Sequence, residues 1–323
     1  MLLCRLKLST RLNSSAFEGK AADKLRASFL PEIYLSSGQK RIRHERAHEM
    51  REVQALGATT SNTAVSWTGG KDCNLALLAA WRDPSLRVTA LVCFRPEDAL
   101  FRAHPIVLME AQAEVLDLPL LHVIIPRDSS DYKAAYVTGM RQLREDHGIV
   151  VMATGDMDLV GSMSRNWIEE CGEEAGIAAF LPLWHADRAG CLLQLLTEGF
   201  AVRFSCVKSP WFDASWVGRT IDQETFAAMQ AMAAAPPAGS DAKALDLGGE
   251  RGEYHTMCFD GPLYAHSVEM ELEDEATEIR DQPGQKAGER WWTIRVRPVA
   301  KEEPNKKERA ALKKSFYQSM IAD

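Results

Sequence analysis

The sequence predicts an α/β protein in which a parallel, twisted sheet carries helices on both faces and is followed by a smaller α+β domain. Two observations carry this prediction. From residue 64 onward, short apolar runs alternate with amphipathic stretches, which is typical of the strand–helix–strand units of a parallel sheet. The apolar runs are continuous and do not alternate with polar residues, as expected for strands that are covered on both sides.

The elements of the first domain follow in chain order. A strand ends over 64–67, and the helix after it, over 75–81, places Leu75, Leu78 and Ala79 on one face. Pro126 closes the third strand, because proline cannot donate to a strand ladder. The other predicted strands lie at 87–94, 120–125 and 149–153, and the other predicted helices at 105–116 and 132–143.

A second domain is predicted to begin near Gly176. Its predicted strands lie at 180–184, 201–207, 268–273 and 291–297, the last two forming a pair, and its helices at 191–198 and 223–234. Residues 235–243 have the composition of a loop. The predicted division is a basic extension over 1–60, a first domain over 61–176, a second domain over 177–300 and a charged tail over 301–323.

Charge is divided unevenly along the 323 residues, whose net charge is −7. Residues 1–60 hold 11 Lys and Arg against 6 Asp and Glu, whereas the rest of the chain holds 27 against 39. An acidic body argues against a protein that coats nucleic-acid backbone. No run of 18 apolar residues occurs, so no membrane span is expected. The basic start resembles an organelle transit peptide, and the alternative is a poorly ordered extension.

Seven cysteines are scattered along the chain without a Cys-x-x-Cys pair. Their odd number and wide spacing indicate a reducing compartment and give no zinc-site pattern. We therefore expect a cytoplasmic protein, with an organelle address as the alternative that the basic start leaves open. A homo-oligomer is compatible with the sequence.

The stretch between the first strand and the first helix carries the clearest chemistry. Gly69 and Gly70 allow a tight turn and a close approach to a ligand, and the following helix points its free N–H groups at the same place. Lys71 adds a cation, and Thr68 adds a hydroxyl. Asp72 would repel a phosphate unless a divalent cation bridges the two. This glycine loop, residues 68–73, therefore predicts an anion site, although its spacing is not that of a Walker loop.

The glycine loop resembles the phosphate loop of the PP-loop ATP pyrophosphatases, whose usual sequence is Ser-Gly-Gly-Lys-Asp-Ser. These enzymes cleave ATP between the α and β phosphates and activate their substrate as an adenylate. Thr68 and Cys73 replace the two serines of that pattern. The hydroxyl of Thr68 is retained, whereas the thiol of Cys73 is a weaker hydrogen-bond donor.

A second signature, Gly-Gly-Glu-Arg-Gly-Glu-Tyr-His-Thr over 248–256 followed by Phe-Asp-Gly-Pro over 259–262, resembles the diphthine–ammonia ligase family. Five further stretches resemble elements of that family and occur in the same order: 110–113, 118–120, 154–157, 181–184 and 213–219. The resemblance extends from about residue 64 to about residue 298. It implies a domain that binds ATP over 61–176 and a domain that binds the substrate over 177–300.

The resemblance also implies roles for single residues. Gly69, Gly70 and Lys71 would hold the β and γ phosphates, with Thr68 and Cys73 at the edges. Asp72 and Asp156, the latter after Gly155, would orient Mg²⁺. Lys71, Asp72, Glu250 and Glu253 are the candidate catalytic residues. The implied substrate-binding residues are Gly249, Glu250, Gly252, Glu253, Tyr254 and Thr256, with the Tyr254 ring facing a trimethylammonium group.

The reaction implied by the resemblance is the amidation of diphthine on elongation factor 2 with ammonia and ATP, which gives diphthamide, AMP and diphosphate. Arg251 and Gly248 depart from the family pattern, and 235–243 is an insertion before the second signature. Two alternatives stay open: a related adenylating ligase that acts on tRNA or on a small carboxylate, and a sensor that only binds adenine nucleotide. The acidic body makes a nucleic-acid partner unexpected.

Overall fold

The computed structural model describes residues 60–97, 102–126, 131–159, 161, 163–236, 245–280, 285 and 288–299. The predicted basic extension, apart from residue 60, and the charged tail lie outside the described residues, as does most of the 235–243 loop. Within the described part, no helix is both long and apolar enough to cross a membrane.

The first sheet has five parallel strands in the order β3-β2-β1-β4-β5. Its strands are β1 (Ser61–Ser66), β2 (Leu86–Arg95), β3 (Leu120–Ile124), β4 (Val151–Ala153) and β5 (Ala178–Phe180). The connecting helices are α1 (Lys71–Arg82), α2 (Ile106–Leu116), α3 (Tyr132–His147) and α4 (Trp167–Ala175). Because strand order reverses beside β1, the carboxyl end of β1 lies where open parallel sheets bind their ligands.

Helices cover both faces of this sheet, as the sequence predicts. One apolar cluster joins Leu75 and Leu108, from α1 and α2, to Val65 on β1. A second cluster joins Met140 and Ile168, from α3 and α4, to other strand residues. Neighbouring strand residues point to opposite faces, so a sheet buried on both sides requires the continuous apolar runs of the sequence.

The remainder of the described chain forms antiparallel sheets. Strands β6 (Ala201–Lys208), β7 (Tyr254–Asp260), β9 (Thr277–Ile279) and β10 (Trp291–Thr293) pair in the order β7-β6-β10-β9. Strand β8 (Met270–Leu272) pairs with β11 (Val296–Pro298). Helices α5 (Arg188–Glu198) and α6 (Gln223–Ala234) and a 3₁₀ turn (Ala214–Trp216) complete this part. The first apolar cluster continues from α1 into β6 and β7, which brings β7 against the glycine loop.

Two of the predicted strands need correction, and three elements were not predicted. The strand predicted over 180–184 ends at Phe180 and belongs to the parallel sheet, because a turn follows in which the N–H of Trp184 bonds to the carbonyl of Leu181. The run 291–297 is two strands, and only the second pairs with β8. The sequence patterns also miss α4, β7 and β9. The division of the chain near residue 176 stays a prediction.

Candidate functional site

The glycine loop turns its carbonyl groups into the protein. The Gly69 carbonyl accepts hydrogen bonds from Gln112 Nε2 at 2.9 Å and from the Cys258 N–H at 2.9 Å. The Gly70 carbonyl accepts one from Asn74 Nδ2 at 2.8 Å. Since the N–H and C=O of a peptide point in opposite directions, the bonds to the Gly69 carbonyl turn the Gly70 N–H away from Gln112 and Cys258, beside the open first turn of α1. The Gly70 N–H and the first turn of α1 thus form the kind of arrangement that can accept an anion.

Gly69 has a positive φ of 77°, and a Cβ at this position would lie 2.5 Å from Gln112 Oε1. Both the backbone conformation and the close packing therefore require glycine here. Gln112 is fully buried on α2, and its Oε1 accepts a hydrogen bond from the Trp67 indole N–H at 3.0 Å. Its amide also donates to the Cys258 carbonyl at 2.7 Å. Gln112 thereby joins the glycine loop to β7.

Lys71 connects the glycine loop to the second signature. Its backbone N–H donates to Thr256 Oγ1 at 3.0 Å, and its Nζ donates to the Gly248 carbonyl at 2.5 Å. The same Nζ pairs with Asp72 Oδ2 at 2.6 Å and lies 5.2 Å from the centre of the Tyr254 ring. Lys71 is only 4% exposed. Burial alone would lower the pKa of this ammonium group, but Asp72 and its neighbours hold the pKa above its ordinary value.

The signature loop, residues 245–253, folds around a buried carboxylate. Glu253 is 3% exposed, and its two oxygens accept from the backbone N–H groups of Asp246 at 3.2 Å and Arg251 at 3.0 Å. Gly249 and Gly252 both have positive φ, at 75° and 73°. The loop therefore takes its shape from its glycines and from Glu253.

The Tyr254 side chain holds the signature loop from β7. Its hydroxyl donates to the Leu247 carbonyl at 2.6 Å, and its ring packs edge-on against Phe204 and Phe212. The ring is buried, and Lys71 is the cation that it contacts within the described residues. The structure therefore places Tyr254 beneath Lys71, with its ring enclosed by protein.

Glu250 lies at the exposed rim of the site. Partial burial raises the pKa of Glu250 to about 7. The carboxylates of Asp72 and Asp246 also raise this pKa, whereas Lys71 and Arg188 lower it. A carboxyl group that titrates near neutral pH and still reaches solvent can accept and release a proton at that pH. The bond from Lys71 Nζ to the Gly248 carbonyl places Glu250 and the glycine loop side by side.

Arg188, at the start of α5, was not predicted from the sequence. Its guanidinium donates to the Met157 carbonyl at 3.3 Å and pairs with Asp158 at 3.3 Å and with Asp246 Oδ1 at 3.7 Å. Asp246 Oδ1 also accepts from the Gly248 N–H at 2.7 Å. Arg188 thus fixes the signature loop to the segment that follows β4, and no motif surrounds it in the sequence.

Gly155 and Asp156 follow β4, as predicted. Gly155 packs against α1, whereas the Asp156 side chain bonds to the start of α4. A Cβ on Gly155 would lie 2.5 Å from the Asp72 backbone carbon, so glycine here allows the strand end to approach α1. Asp156 Oδ2 accepts from Asn166 Nδ2 at 2.6 Å, and Asn166 caps the N-terminus of α4. No group of three or more metal-ligating side chains occurs in the described part of the chain.

Thr68 and Cys73 face each other across the glycine loop. The exposed Thr68 hydroxyl lies 3.9 Å from Cys73 Sγ, and the thiol lies 3.2 Å from the Gly70 carbonyl. Burial raises the pKa of Cys73 to about 11, so this side chain is a thiol at neutral pH. Thr68 is therefore the side-chain hydroxyl that the loop presents to solvent.

Family comparisons describe the two parts of the chain separately. The model for the diphthamide synthase N-terminal domain matches residues 61–179, and the model for the diphthamide synthase C-terminal domain matches residues 189–292. No curated protein matches the chain significantly. Among solved structures, the chain is similar to a predicted subunit of tRNA methyltransferase from Methanocaldococcus jannaschii, with 15% identity and a TM-score of 0.30 over 61% of this chain and 95% of that one. Since the two family models together span most of the chain, this protein belongs to the diphthamide synthase family.

Proposed function

We propose that this protein amidates diphthine on elongation factor 2, using ATP and ammonia and releasing AMP and diphosphate. The observation that carries the proposal is the junction at Lys71, whose backbone and side chain both bond to the second signature. The loop that suits a nucleotide and the loop that suits an acceptor therefore form one site. Membership of a family of ATP-dependent diphthamide synthases supports the same reaction.

The glycine loop suits the β and γ phosphates of ATP. A Cβ at Gly69 would meet Gln112, and one at Gly70 would lie 3.2 Å from the Thr256 carbonyl, so the two glycines let the loop pack closely against α2 and β7. The Gly70 N–H and the positive end of α1 favour negative charge. In this proposal, Lys71 exchanges part of its contact with Asp72 for a phosphate oxygen, while Thr68 and Cys73 line the edges.

Asp72 and Asp156 are the proposed Mg²⁺ ligands. A magnesium ion bound through substrate phosphates needs only one or two carboxylates from the protein. The donor set fits that requirement, because Gly155 packs against Asp72 and each carboxylate has one oxygen beyond the Oδ2 already bonded. When bound, the ion would neutralise phosphate charge and make Asp72 compatible with the nucleotide.

In the proposed reaction, the carboxylate of diphthine reacts in two steps. A carboxylate oxygen of diphthine attacks the α-phosphorus, the bond to the β-phosphate oxygen breaks, and diphosphate leaves. The ammonia nitrogen then attacks the acyl carbon, AMP leaves, and one surplus proton is released. We assign this proton to Glu250, whose pKa of about 7 suits the transfer. Glu253 contributes by shaping the signature loop, together with Gly249 and Gly252.

The protein substrate agrees with the charge of the chain, because diphthine carries a quaternary ammonium group and the body of the chain is acidic. We propose that the Glu250 rim receives this cation, since the Tyr254 ring is enclosed beneath Lys71. Elongation factor 2 acts in translation, so a cytoplasmic location goes with the proposal.

The test compares Lys71→Ala with Lys133→Ala in the full chain. Lys133 forms surface ion pairs with Glu170 and Glu174, away from the glycine loop, and serves as the matched control. With diphthine-bearing elongation factor 2, ATP and ammonium chloride, diphosphate release should fall roughly 10²-fold in Lys71→Ala. It should stay within about twofold in Lys133→Ala. Equal rates for wild type and Lys71→Ala would contradict the proposal.

A further inference from the structure

Two histidines that are distant in the sequence meet beside the glycine loop. His104 precedes α2, and His255 lies on β7. Their ring centres are 5.1 Å apart, with the planes at 80°. A Cβ on Gly70 would lie 3.7 Å from His104 Cε1, so the histidine pair adjoins the loop that is proposed to hold ATP.

One nitrogen of His104 has an unused acceptor position. Its Nδ1 has almost no contact with solvent and no hydrogen-bond partner among the described residues. A backbone hydrogen bond with Thr68 favours a proton on the imidazole. Because Nδ1 is unpartnered, this bond belongs to Nε2, and the neutral ring then offers Nδ1 as a lone pair. Because buried acceptors are normally hydrogen-bonded, this position favours a small molecule that can donate a hydrogen bond.

The charges around the pair favour a neutral ligand. Burial, the neighbouring imidazole and Lys71 lower the pKa of His104 to about 3, and burial, Lys71 and Lys208 lower that of His255 to about 4. Both rings are therefore neutral at neutral pH, with two ammonium groups nearby. Such a place disfavours another cation but accepts hydrogen bonds from an uncharged donor.

A second unpartnered polar atom lies on the strand that supports this region. The Trp291 indole N–H is buried and has no partner among the described residues. Thr293 Oγ1, two residues further along β10 and on the same face, donates to the Arg102 carbonyl at 3.0 Å and so ties the segment before His104 to this strand. Trp291 is paired with Lys208 in the sheet.

We propose that His104 Nδ1, beside His255 and the glycine loop, binds the ammonia that is consumed in amidation. The inference rests on the proposed function, which requires ammonia to reach an acyl group held beside the same loop. Ammonia has three N–H donors and one lone pair, so it suits neutral acceptors where ammonium does not. His104 binds the nucleophile, and the surplus proton of the amidation step still goes to Glu250.

A kinetic experiment separates this role from ATP binding. In His104→Gln, whose side-chain amide still donates toward the Thr68 backbone but places no acceptor at Nδ1, the KM for ammonia should rise roughly tenfold, the size of a lost hydrogen bond, while acceptor-dependent ATP–diphosphate exchange stays at the wild-type rate. His104→Asn retains an acceptor oxygen near the position of Nδ1 and should recover most of the loss. His122→Gln, at an exposed position on β3, is the matched control. An unchanged KM, or an equal loss of exchange and amidation, would overturn the proposal.

A binding measurement separates the site from the proposed reaction. In the full chain with ¹⁵N-labelled histidine, ammonium chloride should shift the His104 Nδ1 signal, whereas sodium chloride of equal ionic strength should not. The His122 signals should stay unchanged. No shift at His104 would overturn the ammonia site even if the protein amidates its substrate. A shift in a protein that fails to amidate would support the site and overturn the proposed function.

Discussion

Replacing Gln112 with leucine probes how the glycine loop is held. The substitution keeps the approximate volume but removes every polar atom of a fully buried side chain. The Trp67 indole N–H loses the acceptor that Gln112 provides, and the carbonyls of Gly69 and Cys258 each lose one donor. Gly69 keeps the bond from the Cys258 N–H.

The magnitude follows from these contacts. A buried polar group left without a partner costs about 1–3 kcal/mol, and each of the other lost hydrogen bonds costs about 0.5–1.5 kcal/mol. We therefore expect Gln112→Leu to lower the free energy of unfolding by about 2–6 kcal/mol. This is a large share of the roughly 5–15 kcal/mol that is typical of folded proteins.

Urea unfolding of the full chain, followed by tryptophan fluorescence and circular dichroism, measures this loss. Gln230→Leu is the matched control, because Gln230 lies on an exposed face of α6. Glutamine and leucine have similar helix propensities, so the exchange itself changes the helix little. The control should change the free energy of unfolding by less than about 0.5 kcal/mol. If Gln112→Leu cost no more than the control, the inward clamping of the glycine loop would be refuted.

Three further predictions concern the backbone, the rim and the histidine pair. Gly69→Ala should destabilise the protein more than Gly161→Ala in urea unfolding, because both positions have positive φ but only Gly69 meets Gln112; equal losses would contradict this. Amide formation should rise with pH through about 7, since Glu250 must lose its proton to accept another, and Glu250→Gln should remove that step from the pH–rate profile. An unchanged profile would exclude this role. His104 binds fewer protons when folded than when unfolded between about pH 3 and 6.5, so stability falls as pH falls through this range. His104→Leu should show a shallower decline in pH-dependent urea unfolding, and a parallel decline would contradict the assignment.

The sheet and the glycine loop were predictable because their signals are local. Continuous apolar runs report burial on both faces, and two adjacent glycines before a helix report a turn that opens toward a ligand. The run 291–297 shows the limit of this reasoning. Its apolar residues serve two strands with different partners, and pairing depends on residues far away in the chain.

The contacts that assemble the site were not predictable, because they join distant segments. Nothing near Lys71 in the sequence indicates that its Nζ turns toward the Gly248 carbonyl. Gln112 lies in the stretch 110–113 that resembles the family, but nothing there indicates its contacts, and Arg188 gives only the weak signal of an arginine behind a capping aspartate. Glu253 was predicted for its charge, and only the folded loop shows both of its oxygens bonded to backbone N–H groups.

The stoichiometry of the reaction tests the central claim most directly. The full chain is incubated with diphthine-bearing elongation factor 2, ATP and ammonium chloride, with AMP measured by chromatography and the modified residue by mass spectrometry. The account predicts one AMP for each carboxyl group converted to an amide, and no AMP above background when the elongation factor is omitted. Amide formation without AMP, or AMP formation that leaves diphthine unchanged, would contradict it.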